Sequence, residues 1–516
     1  MTRPFRGLRE RPPAASYDAV VVGAGIGGLI VANLLAQGGL AVLLVEQHYM
    51  VGGYCSTFRR RGYTFDAATH FYPLLGNPET LTGRLLAELG VGTGWVKMDP
   101  VDTFHFPDGT RFEVPADFAT YLARLKAEFP EQAAALDGFF GRVRDAYLLG
   151  LLAYFRGREV ERLGALAHLT VRQVLEETFR DPKLRLLLTA DCPHWGSPPG
   201  RTSFVFDSML RLSYFLGNYY PRGGSQAFAD ELARCFEARG GHLLMRSRVR
   251  RITVEAGAAR GVEIDVWRGQ ALARERVGAG VVVSNADLLL TLERLVGPEH
   301  LPPDLLEEVR ALRPTFPCFL THLGLRGVPD AVLREAQGYH WDSWDMDRVG
   351  LDALRFKIFA PTLYEPAMAP PGGQEIIVQK VQELDYGSIH DWAAHKRQVE
   401  AFILDRLERL MPGIGERIVV CTSASAQTSW RFTLNHRGAM LGWEMSPDQL
   451  GALRPDVTPP LAGLYLVGHW TRPGGGITPV IVSAQRVARA ILAGEGYAAP
   501  DGPFDGALVP LREGAR

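Results

Sequence analysis

Cysteine is scarce in this 516-residue chain. Its five cysteines, Cys55, Cys192, Cys235, Cys318 and Cys421, form no C-x-x-C pair, and their number is odd. That pattern excludes a disulfide-stapled scaffold and a zinc ribbon. It fits reduced thiols in a cytoplasmic setting without a metal centre. An excess of one charge is also missing: 56 basic against 57 acidic side chains leave a net charge of −1. A near-neutral chain carries no electrostatic footprint for nucleic acid. Residues 1–16 contain Arg3, Arg6, Arg9 and Arg11 but no apolar stretch of the kind a secretory signal needs, so they read as a flexible arm. No fixed-period repeat or low-complexity tract is present.

What the chain does have is glycine in ordered clusters. The stretch 18–46, DAVVVGAGIGGLIVANLLAQGGLAVLLVE, reads as strand, tight turn, helix and strand. Gly23, Gly25 and Gly28 fit G-x-G-x-x-G. The first glycine allows the turn, the second lets backbone approach a pyrophosphate, and the third lets helix pack against strand. Glu46 ends the second strand, about 20 residues on, where an acid can hydrogen-bond a ribose hydroxyl. Residues 19–45 are uncharged and long enough to cross a bilayer, but their glycines, Asn33 and Gln37 suit a buried βαβ unit better. A dinucleotide site follows.

Directly after comes QHYMVGGYCSTF. Gly52 and Gly53 again permit close backbone approach, and Ser56 and Thr57 offer hydroxyls. His70, beside Phe71 and Tyr72, is either a packed histidine at a strand end or a group next to a cofactor ring. Residues 103–114 predict a hairpin turning at Pro107-Asp108-Gly109, and Asp117 predicts a helix N-cap. The run 147–169, YLLGLLAYFRGREVERLGALAHL, is strongly apolar. It could wall a greasy tunnel, lie on a membrane surface as an apolar helix beside Arg156, Arg158 and Arg162, or be core.

A second block, 220–287, opens with YPRGGSQAFADEL, predicts a helix over 226–239 and short strands after it, and closes on VVVSNAD at 281–287. A third block predicts a strand in GLYLVG at 463–468, a glycine-rich turn through Pro473-Gly-Gly-Gly476, and a helix over 478–493. The start of that helix offers free N–H groups to an anion.

Taken together, the three blocks resemble the FAD-dependent phytoene desaturase superfamily, which includes carotenoid desaturases, carotenoid isomerases and retinol saturases. EQHYMVGGYCSTF with FDAATH resembles the retinol saturase branch more than the others. The resemblance implies FAD as the nucleotide. It implies contacts from Gly23, Gly25, Ile26, Gly27, Gly28, Glu46, Gln47, Gly52, Gly53, Ser56, Val249 (to adenine, through its backbone), Asn285, Gly468, His469, Gly475, Gly476 and Ile477. Two positions depart from the pattern. His469 stands where the family usually has an acid, and Tyr54 where related amine oxidases often carry Arg.

The expected fold is α/β: a Rossmann-like FAD-binding domain of the glutathione-reductase/amine-oxidase type with a mixed α+β substrate domain. The expected division is an arm at 1–16, an FAD domain from 17–75, 218–290 and 415–495, a substrate domain from 76–217 and 291–414, and a tail at 496–516. The implied activity is redox chemistry at carbon–carbon double bonds of a long isoprenoid polyene, by hydride transfer at flavin N5. Desaturation, saturation and cis–trans isomerisation all remain open. A polyene has no polar handle, so it needs an apolar tunnel rather than a side-chain nucleophile. His70, His436 and Trp470 are the candidate catalytic groups, with His469 also near the ring. No second dinucleotide unit is visible, so a quinone, oxygen or a separate reductase is the expected electron partner. Peripheral membrane contact is expected through 147–169. An FAD-dependent amine oxidase and a non-catalytic prenyl-lipid binding protein of the escort/dissociation-inhibitor type are the alternatives.

Overall fold

The computed structural model describes residues 12–494 except 69, 159, 190–195, 269–270, 354 and 382. Most of the expected arm, all of the tail and Cys192 therefore lie outside the described residues. The four described cysteines are free thiols.

The sequence 18–46 forms the centre of a seven-stranded sheet. Strand Ser16–Val22 pairs in parallel with Val42–Val45 on one side and with Ala271–Ser284 on the other. His242–Leu244 extends the sheet beyond Val42–Val45, and Leu464–Leu466 pairs with the last three residues of Ala271–Ser284. The front half of that long strand instead runs antiparallel to Ala258–Arg268, which pairs with Arg248–Glu255. From Ala19 onward the central strand has no polar face. Ala19 and Val21 join the core under helices Ile26–Gln37, Ser225–Ala238 and Ile477–Gly494, while Val20 and Val22 join the core on the opposite side. Burial on both faces is why this strand reads as an unbroken β-branched run.

A second seven-stranded sheet runs in the order Ile418–Ala424, Cys318–Arg326, Gly373–Val381, Arg355–Phe359, Gly338–Trp341, Asp102–His105, Arg111–Val114. The last two strands are the predicted hairpin, with Asp102 opposite Val114 and His105 opposite Arg111. Side chains alternate across this sheet. Phe319, Leu323 and Leu325 pack with Val399, Ile403 and Leu407 of helix Trp392–Leu410, while Cys318, Leu320, Ile377 and Val381 pack on the opposite face. The helices Phe118–Glu128, Ala133–Gly150, Val171–Thr178 and Phe204–Phe215 build a third core rich in Phe and Leu. Asp117 caps the first of them by accepting the Thr120 N–H at 2.7 Å.

Two stretches fall on the other side of the expected division. Ile418–Ala424 pairs with Cys318–Arg326, not with the nucleotide-binding sheet. Leu292, Leu295 and Val309, placed beyond residue 290, pack in the core of the first sheet. Alternating apolar patterns show that a segment is half-buried, not which sheet buries it.

The run 147–169 is not one helix. Helix Ala133–Gly150 continues into a wide turn, Leu151–Phe155, and stops at Gly157, whose φ of 65° suits glycine at a helix end. Short turns Glu161–Leu163 and Gly164–Ala167 follow. No helix among the described residues is long and apolar enough to cross a membrane.

Candidate functional site

A single cavity of about 1610 Å³ runs from the carboxyl ends of the parallel strands to the helical layer. Drug-sized ligands occupy roughly 300–1,000 Å³, so there is room for a large cofactor and a second molecule beside it.

The nucleotide end is made largely of backbone. A Cβ on Gly28 would lie 2.0 Å from the Gly23 carbonyl oxygen, and one on Gly27 would lie 2.6 Å from Asn285 Oδ1. These two glycines let helix Ile26–Gln37 close against the strand turn. Gly25 is different. It faces the cavity and caps the helix with no side chain, leaving the first-turn N–H groups open to whatever enters. The loop at Gly52 and Gly53 stacks on this turn. Gly52 donates its N–H to the Ala24 carbonyl at 2.8 Å, and a Cβ on Gly53 would come 3.4 Å from Gly25 Cα.

Glu46 is positioned by the same backbone. Its two oxygens accept the Ala24 N–H at 2.7 Å and the His48 N–H at 2.8 Å. Burial pushes its carboxyl above the usual range, and each oxygen keeps a second lone pair for a ribose hydroxyl. Asn285 joins the glycine turns: its Nδ2 donates to the Gly23 carbonyl at 3.2 Å, and its Oδ1 sits 3.0 Å from where a Gly468 Cβ would be.

The C-terminal turn closes the cradle. Gly468 donates its N–H to Ser483 Oγ at 3.0 Å, and a Cβ on Gly475 would meet the Leu441 carbonyl at 2.1 Å. Helix Ile477–Gly494 starts here, with Gly475, Gly476 and Ile477 on the cavity wall. Arg454, buried without a carboxylate partner among the described residues, holds the turn by donating to the carbonyls of Trp443, Glu444, His469 and Thr471. Burial and the Arg454 charge push the His469 imidazole down to about 3, so a neutral ring replaces the acid usual in the resembling family. Tyr54, the other departure, also lines the cavity and donates its hydroxyl to the Ala439 carbonyl at 3.0 Å.

All the expected FAD contacts except Gly28 line this one cavity: Gln47, Ser56 and Ile26 directly, and Val249 at an irregularity of its strand. Gly28 acts one layer behind, in helix packing. A bare-backbone helix terminus beside two glycine turns and a carboxylate fits the pyrophosphate and ribose of FAD.

The candidate catalytic residues separate. His70 lines the cavity, stacks on Phe359 at 4.8 Å, and places Nδ1 2.9 Å from the Ala68 carbonyl. Trp470 also reaches the wall, but its indole N–H donates to Asn435 Oδ1 at 3.1 Å and its ring packs edge-on against Trp443. His436 does not reach the cavity: its backbone N–H binds Asp287 Oδ2 at 2.7 Å and its ring packs near Trp443. Nothing in the pattern HRG at 436–438 signals that the chain turns away there.

Away from the cradle the wall becomes apolar. Tyr147, Leu151 and Phe155 face Phe206, Met209 and Tyr214 from helix Phe204–Phe215. The tunnel-wall alternative for residues 147–169 therefore holds for its first third. Cys318, His322 and Gln379 of the other sheet also line the cavity. Arg454, Ser483, His322 and Gln379 carry no sequence signal; only strand register and loop packing bring them in.

A model of the flavin containing amine oxidoreductase family matches residues 26–492. An all-trans-retinol 13,14-reductase of Rattus norvegicus is 26% identical over 506 residues, covering 88% of this chain and 82% of that protein. A neurosporene-forming phytoene desaturase of Cereibacter sphaeroides is 28% identical, covering 95% of this chain and 96% of that one. The solved structure of putrescine oxidase bound to putrescine superposes with a TM-score of 0.66 at 17% identity, over 93% of this chain and 100% of that one. This last likeness is one of fold.

Proposed function

We propose, from the premise that this chain belongs to the flavin containing amine oxidoreductase family, that it acts on carbon–carbon double bonds of a long isoprenoid polyene, a carotenoid or retinoid. The observation that carries this is the apolar arm opening directly from the nucleotide cradle, walled by Tyr147, Leu151, Phe155, Phe206, Met209 and Tyr214. The similar retinol reductase and phytoene desaturase support the same substrate class. When bound, FAD supplies two-electron chemistry that neither side chains nor a metal need provide. The chain's own part is to bind, orient and keep water out. The helix start at Ile26 and the Gly52–Gly53 loop hold the phosphates, Glu46 the ribose, and the turn 468–477 the far end of the cofactor. His70 stacked on Phe359 and the neutral ring of His469 form cavity wall beside that end.

Desaturation, saturation and isomerisation share this site. A quinone, oxygen or a separate reductase exchanges the electrons, because G-x-G-x-x-G occurs once as a complete unit in the sequence. Arg156 lines the cavity beside Phe155, and peripheral membrane contact through this segment would deliver a lipid-dissolved substrate. Flotation with anionic and neutral vesicles at low salt tests that contact, and absence of binding removes it.

An amine oxidase is disfavoured by the cavity's carboxylates. Among the described residues these are Glu46, Glu79 and Asp230. Glu46 is held by backbone N–H groups and Asp230 accepts from Gln226 at 2.7 Å. The deciding experiment is anaerobic incubation of oxidised and of photoreduced holoprotein with a polyene panel, read by chromatography. A change in saturation or geometry is expected. No change with either form, together with flavin bleaching by a primary amine, would hand the chain to the amine oxidases.

A further inference from the structure

Strand Thr57–Arg60 leads away from the Gly52–Gly53 loop and pairs with Tyr63–Asp66. This hairpin leans on the edge of the second sheet. Arg61 donates to the Val419 carbonyl at 3.0 Å, and the Phe58 ring meets His322 edge-on at 5.0 Å. Arg59 and Arg60 are exposed at the end of the strand and line the cavity, and the Arg60 guanidinium lies 5.6 Å over the Phe58 ring. Lys396, from helix Trp392–Leu410, reaches the same part of the cavity. It stands close enough to His322 that its charge, after burial, helps push that ring down to about 4. Thr422, opposite His322 on the edge strand, and Thr428 add hydroxyls to this wall.

The ammonium has no counter-ion. Lys396 is half-buried, and among the described residues it makes no ion pair. Glu400 has the i,i+4 spacing for one, but it accepts from the Ser423 hydroxyl instead. The three carboxylates lining the cavity belong to other elements. Glu46 is held by backbone at the nucleotide end, Asp230 accepts from Gln226 on its own helix, and Glu79 precedes helix Leu81–Glu88. The neutral His322 ring adds no charge. A cation drawn partly out of water with nothing to balance it favours an anion beside it.

Between this wall and the C-terminal turn runs an apolar floor. Ala68, Phe316 and Val381 form one cluster with Tyr54, Ala424 and Met440 packed against it, and all six line the cavity. At one end the Tyr54 ring is 6.3 Å from that of His469. At the other, Ala424 is two residues from Thr422. The floor therefore reaches from the cofactor cradle to Lys396, apolar along its length and cationic at its end.

We propose that Lys396, with Arg60 and the Thr422 and Thr428 hydroxyls beside it, forms an anion subsite, so that the preferred polyene ends in a carboxylate. This rests on the polyene reading above and adds charge selection to it. An ionised acid balances the ammonium, which a hydrocarbon or an alcohol does not.

The test uses the FAD-loaded full chain in low salt at about pH 8, where a carboxylic acid is ionised. The probes are all-trans-retinoic acid with its methyl ester, crocetin with its dimethyl ester, and all-trans-retinol. Dissociation constants are read by quenching of tryptophan fluorescence. In at least one pair the acid should bind about tenfold tighter or more, and retinol should bind like the retinoate ester. Lys396→Met, similar in length but uncharged, should bring that pair to within about threefold at unchanged FAD content and melting temperature, while Lys396→Arg should keep the preference. Equal affinity within both pairs in the wild type overturns the subsite without any variant, and so does retinol binding as tightly as its acid. A preference that persists in a folded Lys396→Met protein overturns it as well. Binding of none of the probes overturns the polyene reading, and the subsite with it, a distinguishable result.

Discussion

The two ends of the cavity are built in different ways. At the nucleotide end, recognition comes from main-chain groups: glycine turns around Gly23, Gly52 and Gly475, and two helix starts at Ile26 and Ile477. In the apolar arm and on the second sheet it comes from side chains, from Tyr147 and Met209 to His322 and Gln379. A backbone-made site tolerates no added atoms but few alternatives either. A side-chain-made site can be reshaped one residue at a time while the cofactor stays bound. One family can therefore keep one cofactor and vary its substrate.

The sharpest test of this contrast is Gly28→Ala. Its Cβ would sit 2.0 Å from the Gly23 carbonyl oxygen, and backbone cannot yield as a side chain can. Overpacking of this kind costs roughly 3 kcal/mol or more, so loss of both flavin absorbance and the cooperative melt is expected. A well-folded, flavin-loaded Gly28→Ala protein would break the comparison. Gly25→Val should sharpen it. The nearest protein atom to a Cβ there is Asn285 Nδ2 at 3.0 Å, so the fold should survive while FAD affinity falls by about 100-fold, read by titration of the apoprotein.

At the other end, Leu151→Trp should narrow the apolar arm. It should weaken polyene binding by about tenfold while leaving the flavin spectrum and FAD content intact. Concerted loss of both ligands would show that the two regions are not independent.

The smallest effect concerns protons. The folded pKa of His469 is depressed to about 3, below the ordinary value near 6.5. The stability that it contributes is fully present above about pH 6.5 and is lost as pH falls towards 3. Asp66 has the opposite sign: burial raises it to about 6, so its contribution is present below about pH 4 and lost as pH rises through 6. Urea midpoints should show His469→Gln gaining on the wild type as pH drops, and Asp66→Asn gaining as pH rises between 4 and 6. Parallel curves for both variants would contradict the burial of these groups.

How much was legible in the sequence follows the same division. Glycine spacing around 23–28 and 468–476, the acid at Glu46 and the hairpin at 103–114 are local in sequence and local in cause. A tight turn or a close approach needs glycine whatever surrounds it, and those elements formed where the pattern put them. His436 and Trp470, candidates for groups near the flavin ring, depend on packing that residue type does not encode. One turned away from the cavity, and the other is bound by its indole N–H to Asn435. Arg454 sits in an unremarkable loop and becomes the clamp of the C-terminal turn only when four carbonyls from two segments converge on it.

By itself, then, the chain determined the nucleotide cradle and the doubly buried parallel strands, because short-range sterics and an unbroken apolar run are written in neighbouring residues. Only the tertiary structure decided that Ile418–Ala424 joins the second sheet, that residues 147–155 wall a tunnel, and that His322 stands beside Gln379. The first and the last depend on register between strands distant in sequence, where one residue of slip would turn every side chain to the other face, and the second on how a helix end packs.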